Sequence, residues 1–243
     1  VPDRPALPDV DAVLLDVGGV LRLPSPSHIV EALRRLGHDV DPALVPRAHY
    51  AGVAALDTRE FAEGDRDVWL AYNRAFAATL GVDGDGLEEA AEILLSEFTV
   101  AELWSHVVPG AHGALRALAR TGVRIAIVSN ADGTVEAQLR EDALCQVGPG
   151  PGVEVDAILD SAVVGVAKPD PRIFHLALEA LGVPAERAIH VGDTPAADVL
   201  GAVRAGVRPV LVDPYDDHPH LEVTRVRHVA EVAGLLTSSS GSV

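Results

Sequence analysis

The stretch LLDVGGVL (14–21) is an apolar run that stops on a carboxylate, Asp16, and then turns at Gly18 and Gly19. Three later stretches end the same way. IVSN closes on Ser129 and Asn130, GVAKPD carries Lys168, and HVGDTPAAD carries Asp193 and Asp198. Each has an ordinary reading when taken alone: a turn residue, a helix cap, a solvated lysine. Together they make a set that handles a phosphate. Asp16 is suited to in-line attack, forming an aspartyl phosphate as other carboxylate nucleophiles do. Asp16, Asp193 and Asp198 offer hard oxygens to magnesium, and Asp198 follows Asp193 by one helical turn and a little more. Lys168 brings positive charge to the transferring oxygens, while the Ser129 hydroxyl and the Asn130 backbone amide bring hydrogen bonds. A purely structural network of two Asp and one Lys, buried without a ligand, would be costly to desolvate, which favours a functional site.

These residues must be positioned by the elements that carry them. AVLLD (12–16), RIAIVSN (124–130), DAILDS (156–161), AIHVG (188–192) and RPVLVD (208–213) are short apolar runs without the alternation of a half-wet sheet. That pattern predicts a parallel sheet covered on both faces. Helical segments lie between the runs: 113–122, 171–182 and 195–206. The second starts with Asp170 as N-cap and Pro171 at the first helical position and stops at Gly182; the third repeats this with Thr194, Pro195 and Gly206. Strands alternating with helices imply right-handed βαβ units, hence an α/β, doubly wound, Rossmann-like core. In such sheets ligands bind beyond the carboxyl ends of the strands, which is where the polar residues fall.

Between His28 and Leu103 the periodicity is helical. Ile29, Val30, Leu33 and Leu36 form one stripe; Trp69, Tyr72, Phe76 and Leu80 form another. Breaks at 37–42, 64–65 and 81–86 divide the stretch into about four helices. An all-helical insert directly after the first strand reads as a lid over that strand's end, with LPSPS (23–27) and SHVVPG (105–110) as its connections. The expected organisation is a core of 1–23 and 108–236, a helical cap of 24–107 and a polar tail of 237–243.

The ordered motifs LLDVGGVL, IVSN, GVAKPDPRIF and HVGDTPAAD resemble the haloacid dehalogenase superfamily of aspartyl-nucleophile hydrolases, and the helical insert sits where that superfamily places its commonest cap. The resemblance implies a magnesium-dependent phosphatase acting on a small phosphorylated metabolite. It implies Asp16 as nucleophile, with Ser129, Asn130 and Lys168 around the phosphate. It also implies a metal held by Asp16, the Gly18 carbonyl, Asp193 and Asp198.

The resembled phosphatases usually carry Asp two residues after the nucleophile, to protonate the leaving group and then activate water. Gly18 stands there instead. Losing a positioned acid/base typically costs about 10²–10⁴ in rate. A substrate with a good leaving group, or another base such as His28 or Asp132, would offset the loss. Otherwise the chain is a weak enzyme or a ligand-binding relative. A dehalogenase needs no proton donor at this position, but the resembled dehalogenases lack the acidic GDTPAAD pattern. A mutase needs the missing Asp. In the insert, Arg47, His49, Arg59, Arg66 and Arg74 either face a phosphorylated substrate or line solvated helix faces.

Composition narrows the partners. Nineteen Lys+Arg against 36 Asp+Glu give a net charge of −17, a field that repels nucleic acid and anionic membranes. Cys145 is the single cysteine, which excludes an intrachain disulfide and suits a reducing cytoplasm. No apolar stretch reaches the length of a membrane span. A monomer or homodimer acting on a small molecule is expected.

Overall fold

The computed structural model describes residues 7, 9–56, 66–100 and 103–237. The chain divides into two compact units. One comprises Val1–Leu21, Pro109–Pro214 and Glu222–Val243, the other Arg22–Val108 and Tyr215–Leu221. Ten strands occur among the described residues: β1 Ala12–Leu15, β2 Arg22–Leu23, β3 His106–Val107, β4 Arg124–Ser129, β5 Cys145–Val147, β6 Val153–Val155, β7 Ala157–Asp160, β8 Ala188–Gly192, β9 Arg208–Val212 and β10 Thr224–Val226.

The first unit is built on a six-stranded sheet in the order β10-β9-β8-β1-β4-β7, and every pairing in it is parallel. The five apolar runs are all strands of this sheet. β10, only three residues long, carries too little apolar sequence to be recognised in advance. All four residues of β1 are fully buried, as a central strand covered on both faces requires. Ala12 and Leu14 pack with Ile173, Phe174, Ala177 and Leu178 of the helix Pro171–Leu181. Val13 and Leu15 are as deeply buried and point to the opposite face. The helix Pro171–Leu181 has the expected ends: Asp170 accepts from the Arg172 N–H at 2.9 Å, Pro171 opens it and Gly182 closes it.

The second unit contains the helices Pro26–Arg34, Val45–Ala55, Arg66–Thr79 and Gly86–Glu97. Ile29, Leu33, Tyr72, Phe76 and Leu80 from the two apolar stripes meet in one core, with Leu94 and Leu103. The two expected connections behave differently from plain linkers. Leu23 pairs with His106 and Arg22 with Val107 in an antiparallel ladder, and Ser25 already caps the first helix. Tyr215–Leu221 belongs to this unit although its neighbours in sequence belong to the sheet; Arg47 grips Asp217 with two hydrogen bonds of 2.6 and 3.0 Å and stacks on Tyr215. Thr237 ends the helix Val232–Thr237, and the rest of the tail, with the turn at 64–65, lies outside the described residues. No helix among the described residues is long and apolar enough to cross a membrane.

Candidate active site

Chain order in the sheet reverses between β1 and β8, so the crevice beyond their carboxyl ends is a topological switch point. Asp16 stands at the end of β1. Its N–H donates to Val191 O of β8 at 2.9 Å, which carries the strand pairing up to the carboxylate itself. The chain then turns sharply, with Leu21 N–H donating to Val17 O at 2.8 Å. Gly19 takes the left-handed conformation (φ 67°) that this turn needs, whereas Gly18 does not.

Lys168 reaches the same point from the loop before Pro171. Its Nζ lies 2.7 Å from Asp16 Oδ1 and 2.7 Å from Asp198 Oδ1, with only 2% of its side chain exposed. Every other basic residue among the 19 Lys+Arg is an arginine, so the sole lysine of the chain is the buried one. A compact ammonium fits between two carboxylates where a planar guanidinium would not. That singularity is a signal the sequence carries. Asn130 fixes the lysine's main chain: the Lys168 N–H donates to Asn130 Oδ1 at 2.8 Å, and Asn130 Nδ2 donates to Lys168 O at 2.9 Å.

Asp193 and Asp198 complete the cluster. One carboxylate oxygen from each of Asp16, Asp193 and Asp198 lies within 4.8 Å of the others, and all three residues are buried. Asp198 sits on a π-helical turn, Pro195–Leu200, rather than in the regular α-helix expected for 195–206, which resumes only as Gly201–Arg204. Such wide turns favour functional positions because they re-aim a side chain. Gly192 makes room for it: a Cβ there would stand 2.1 Å from Asp198 Cγ. Gly201 likewise lets the turn press against Phe174 and Pro169. Asp198 is already well supplied with donors. Its Oδ1 receives Lys168 Nζ and His190 Nε2 (2.8 Å), and its Oδ2 receives the Thr194 N–H (2.9 Å). Asp193 accepts from the Thr194 hydroxyl at 3.0 Å.

Three carboxylates against one ammonium leave a buried excess of negative charge. Burial pushes the Asp16 carboxyl up to about 7; Lys168 pulls it down, but Asp198 and Asp193 push it up again. Burial also opposes ionisation of Asp198, yet Lys168 and His190 hold it well below the usual carboxylate range. For Lys168, burial is outweighed by Asp16 and Asp198, so the ammonium is held above its ordinary value. The donor set therefore fits a hard divalent cation, whose charge would offset the excess and restore Asp16 to its ionised form.

Ser129, at the end of β4, is buried and in register with Asp160 of β7. Asp160 and Ser161 lie outside the four motifs, although DAILDS ends on polar residues as the other strands do. Asp160 accepts from the N–H groups of Gly133 (2.9 Å), Val135 (3.4 Å) and Ala162 (3.0 Å), and Ser161 Oγ bonds both the N–H and the carbonyl of Ala131. They thus hold the loop that leaves Ser129 and Asn130.

The alternative bases are otherwise engaged. His28 is paired with Glu97 at 2.5 Å within the second unit. Asp132 is exposed and accepts from the Thr134 N–H and hydroxyl. Of the insert's basic residues, Arg47 binds Asp217, Arg66 binds Glu92, Arg74 binds Glu88 and His49 Nδ1 meets the Tyr72 hydroxyl; Arg59 lies outside the described residues. Cys145 is buried, and burial, aided by Glu136, pushes its thiol up to about 12, which removes it as a nucleophile.

Known proteins resemble this chain in family and in fold. Residues 10–206 match the family of haloacid dehalogenase-like hydrolases. The chain is 35% identical over 132 residues to haloacid dehalogenase-like hydrolase domain-containing protein 3 of Xenopus laevis, covering 54% of this chain and 51% of that one, so it spans about half the length of that relative. It is 34% identical over 202 residues to a phosphoserine phosphatase of Thermus thermophilus, covering 80% of this chain and 74% of that one. Among solved structures, a haloacid dehalogenase-type phosphatase from Thermococcus onnurineus superposes with a TM-score of 0.56 at 21% identity, covering 94% of this chain and 98% of that one, a likeness of fold. With its carboxylates and lone lysine gathered at the switch point of a parallel sheet, the chain belongs to the haloacid dehalogenase-like hydrolases.

Proposed function

We propose that the protein is a magnesium-dependent phosphatase acting on a small phosphorylated metabolite through an aspartyl phosphate on Asp16. The observation that carries this reading is the buried cluster of Asp16, Asp193 and Asp198 closed by Lys168, an acidic excess suited to a divalent cation and a phosphate. Similarity to a phosphoserine phosphatase supports the reaction class. Asp16, Asp193 and the Gly18 carbonyl would hold magnesium, with Asp198 behind them; when bound, the ion supplies charge neutralisation for the phosphate and for the attacking carboxylate.

The chain's own residues divide the remaining work. Asp16 attacks phosphorus, the ester oxygen leaves, and water then cleaves the acyl phosphate and regenerates the carboxylate. Lys168 stabilises charge on the transferring oxygens, and Ser129 with the Asn130 N–H donates hydrogen bonds to them. Gly18 offers no carboxylate to protonate the leaving oxygen or to activate water. That glycine favours substrates with good leaving groups, such as acyl, anomeric or aryl phosphates, and supports a second reading as a slow enzyme whose main role is binding. A cytoplasmic setting, a monomer or homodimer, and no nucleic-acid or membrane partner complete the reading.

The test is turnover of p-nitrophenyl phosphate with and without magnesium. Magnesium-dependent, fluoride-sensitive release that Asp16→Asn abolishes is the expected result. Activity independent of magnesium, or undiminished in Asp16→Asn, would overturn the assignment.

A further inference from the structure

His190 is a fully buried histidine that the proposed reaction does not use. It occupies β8 two residues before Gly192, so both face the same side of the sheet, the side on which Asp198 lies. Its ring stands edge-on to Phe174, with centroids 4.9 Å apart. Its Nε2 lies 2.8 Å from Asp198 Oδ1, the oxygen that also meets Lys168 Nζ at 2.7 Å. A carboxylate ionised beside Lys168 only accepts, so the imidazole carries its proton on Nε2 and donates it.

We infer that His190 is a positioning residue: its Nε2–H holds Asp198 Oδ1 on the Lys168 ammonium, and through it holds Lys168 against Asp16. The geometry explains why a polar ring stands among apolar neighbours. The Thr194 N–H pins the other oxygen of Asp198, so donors on both oxygens leave the carboxylate one orientation. Without the His190 donor, Asp198 keeps the Thr194 contact but is free to swing about it, and the Lys168 Nζ loses its second fixed partner. Orientation of a group that touches the reacting atoms by a residue behind it typically accounts for about 10- to 100-fold in activity.

Two substitutions separate hydrogen bonding from packing. His190→Phe keeps a planar ring against Phe174 and removes the donor. His190→Gln loses the ring and keeps an N–H at similar reach. The kinetic arm rests on the phosphatase reading: with p-nitrophenyl phosphate and magnesium, His190→Phe lowers kcat about 10- to 100-fold with KM little changed, and His190→Gln restores most of it. A second arm needs no activity. Lys168 is the sole lysine, so ¹⁵N-lysine labelling yields one side-chain ammonium signal to follow in the metal-free protein. That signal is slowly exchanging in the wild type, lost or broadened in His190→Phe, and retained in His190→Gln. Retention in His190→Phe, or equal loss in both variants, would overturn the proposal. An inactive wild type that shows the expected ammonium pattern would overturn the phosphatase reading and leave the role of His190 standing.

Discussion

Asn130 holds Lys168 by its main chain rather than by its charge, its amide matching both the N–H (2.8 Å) and the carbonyl (2.9 Å) of the lysine as a neighbouring strand would. The second motif therefore builds the third: the end of β4 sets where the lysine loop begins its approach to Asp16. Asn130→Ala removes both bonds and costs about 1–3 kcal/mol of stability, measured by urea unfolding. On the proposed reaction it also lowers activity, since the main chain that carries Lys168 loses its anchor. Unchanged stability would show that the loop is held elsewhere.

Asp193 and Asp198 stand in one acidic cluster but have different partners. Asp198 serves three donors, including the Lys168 ammonium, while Asp193, the residue after β8, accepts from the neighbouring Thr194 hydroxyl. Removing one partner of a buried pair typically costs about 3–5 kcal/mol. Asp198→Ala is therefore expected to lose about that much stability in metal-free protein. Asp193→Asn should lose much less, yet abolish magnesium binding measured by calorimetry and magnesium-dependent turnover. The reverse ranking would exchange the two roles.

The pH dependence of metal-free stability follows from Asp16. Its folded value, about 7, lies above the ordinary 3.8, so the folded state retains a proton that the unfolded chain releases between these values. Stability from this group is full below about pH 4 and is lost as pH rises through about 7. Asp198, whose carboxyl is lowered, loses its contribution only in stronger acid, whereas burial holds His190 below its ordinary 6.5, so its contribution rises with pH up to that value and offsets part of the Asp16 trend. The loss from pH 5 to 8 is on the order of 1 kcal/mol or more. The difference between thermal melts of metal-free wild type and of Asp16→Asn should show it, narrowing as pH rises through about 7. A melting profile equally steep in both proteins would assign the trend to other groups.

Gly18 stands where the resembled phosphatases usually carry Asp, and its backbone is not left-handed, so an aspartate is conformationally allowed there. On the proposed mechanism, attack by Asp16 on an activated aryl phosphate needs no proton donor, but breakdown of the aspartyl phosphate needs water to be deprotonated. Rapid-quench kinetics should show a burst followed by slow turnover. Gly18→Asp should shrink the burst and raise the steady rate, by up to about 10²–10⁴. Absence of both effects would mean that another group already serves as the base.

The α/β core and its polar edge were legible in the sequence because parallel strands buried on both faces must be apolar throughout. A carboxylate, a Ser-Asn pair or a Gly-Asp at the end of such a run marks where the apolar strand stops. Asp16, Ser129 and Asp193 could be picked out on that ground, Lys168 as the sole lysine in the AKPD stretch, and the helix between Asp170 and Gly182 by its caps. Partners were another matter. The bonds joining Asn130 to Lys168, Lys168 to Asp198 and Arg47 to Asp217 span 38, 30 and 170 residues, and no periodicity encodes them. Nor does any local pattern distinguish the π-helical turn that aims Asp198, the donor role of His190, or the excursion of Tyr215–Leu221 into the helical unit. Sequence by itself determined which residue types stand at the ends of the strands, since burial of the backbone dictates them locally. Only the tertiary structure decided which oxygen meets which donor, because hydrogen bonds are short and directional and the order of strands in the sheet sets who lies within reach.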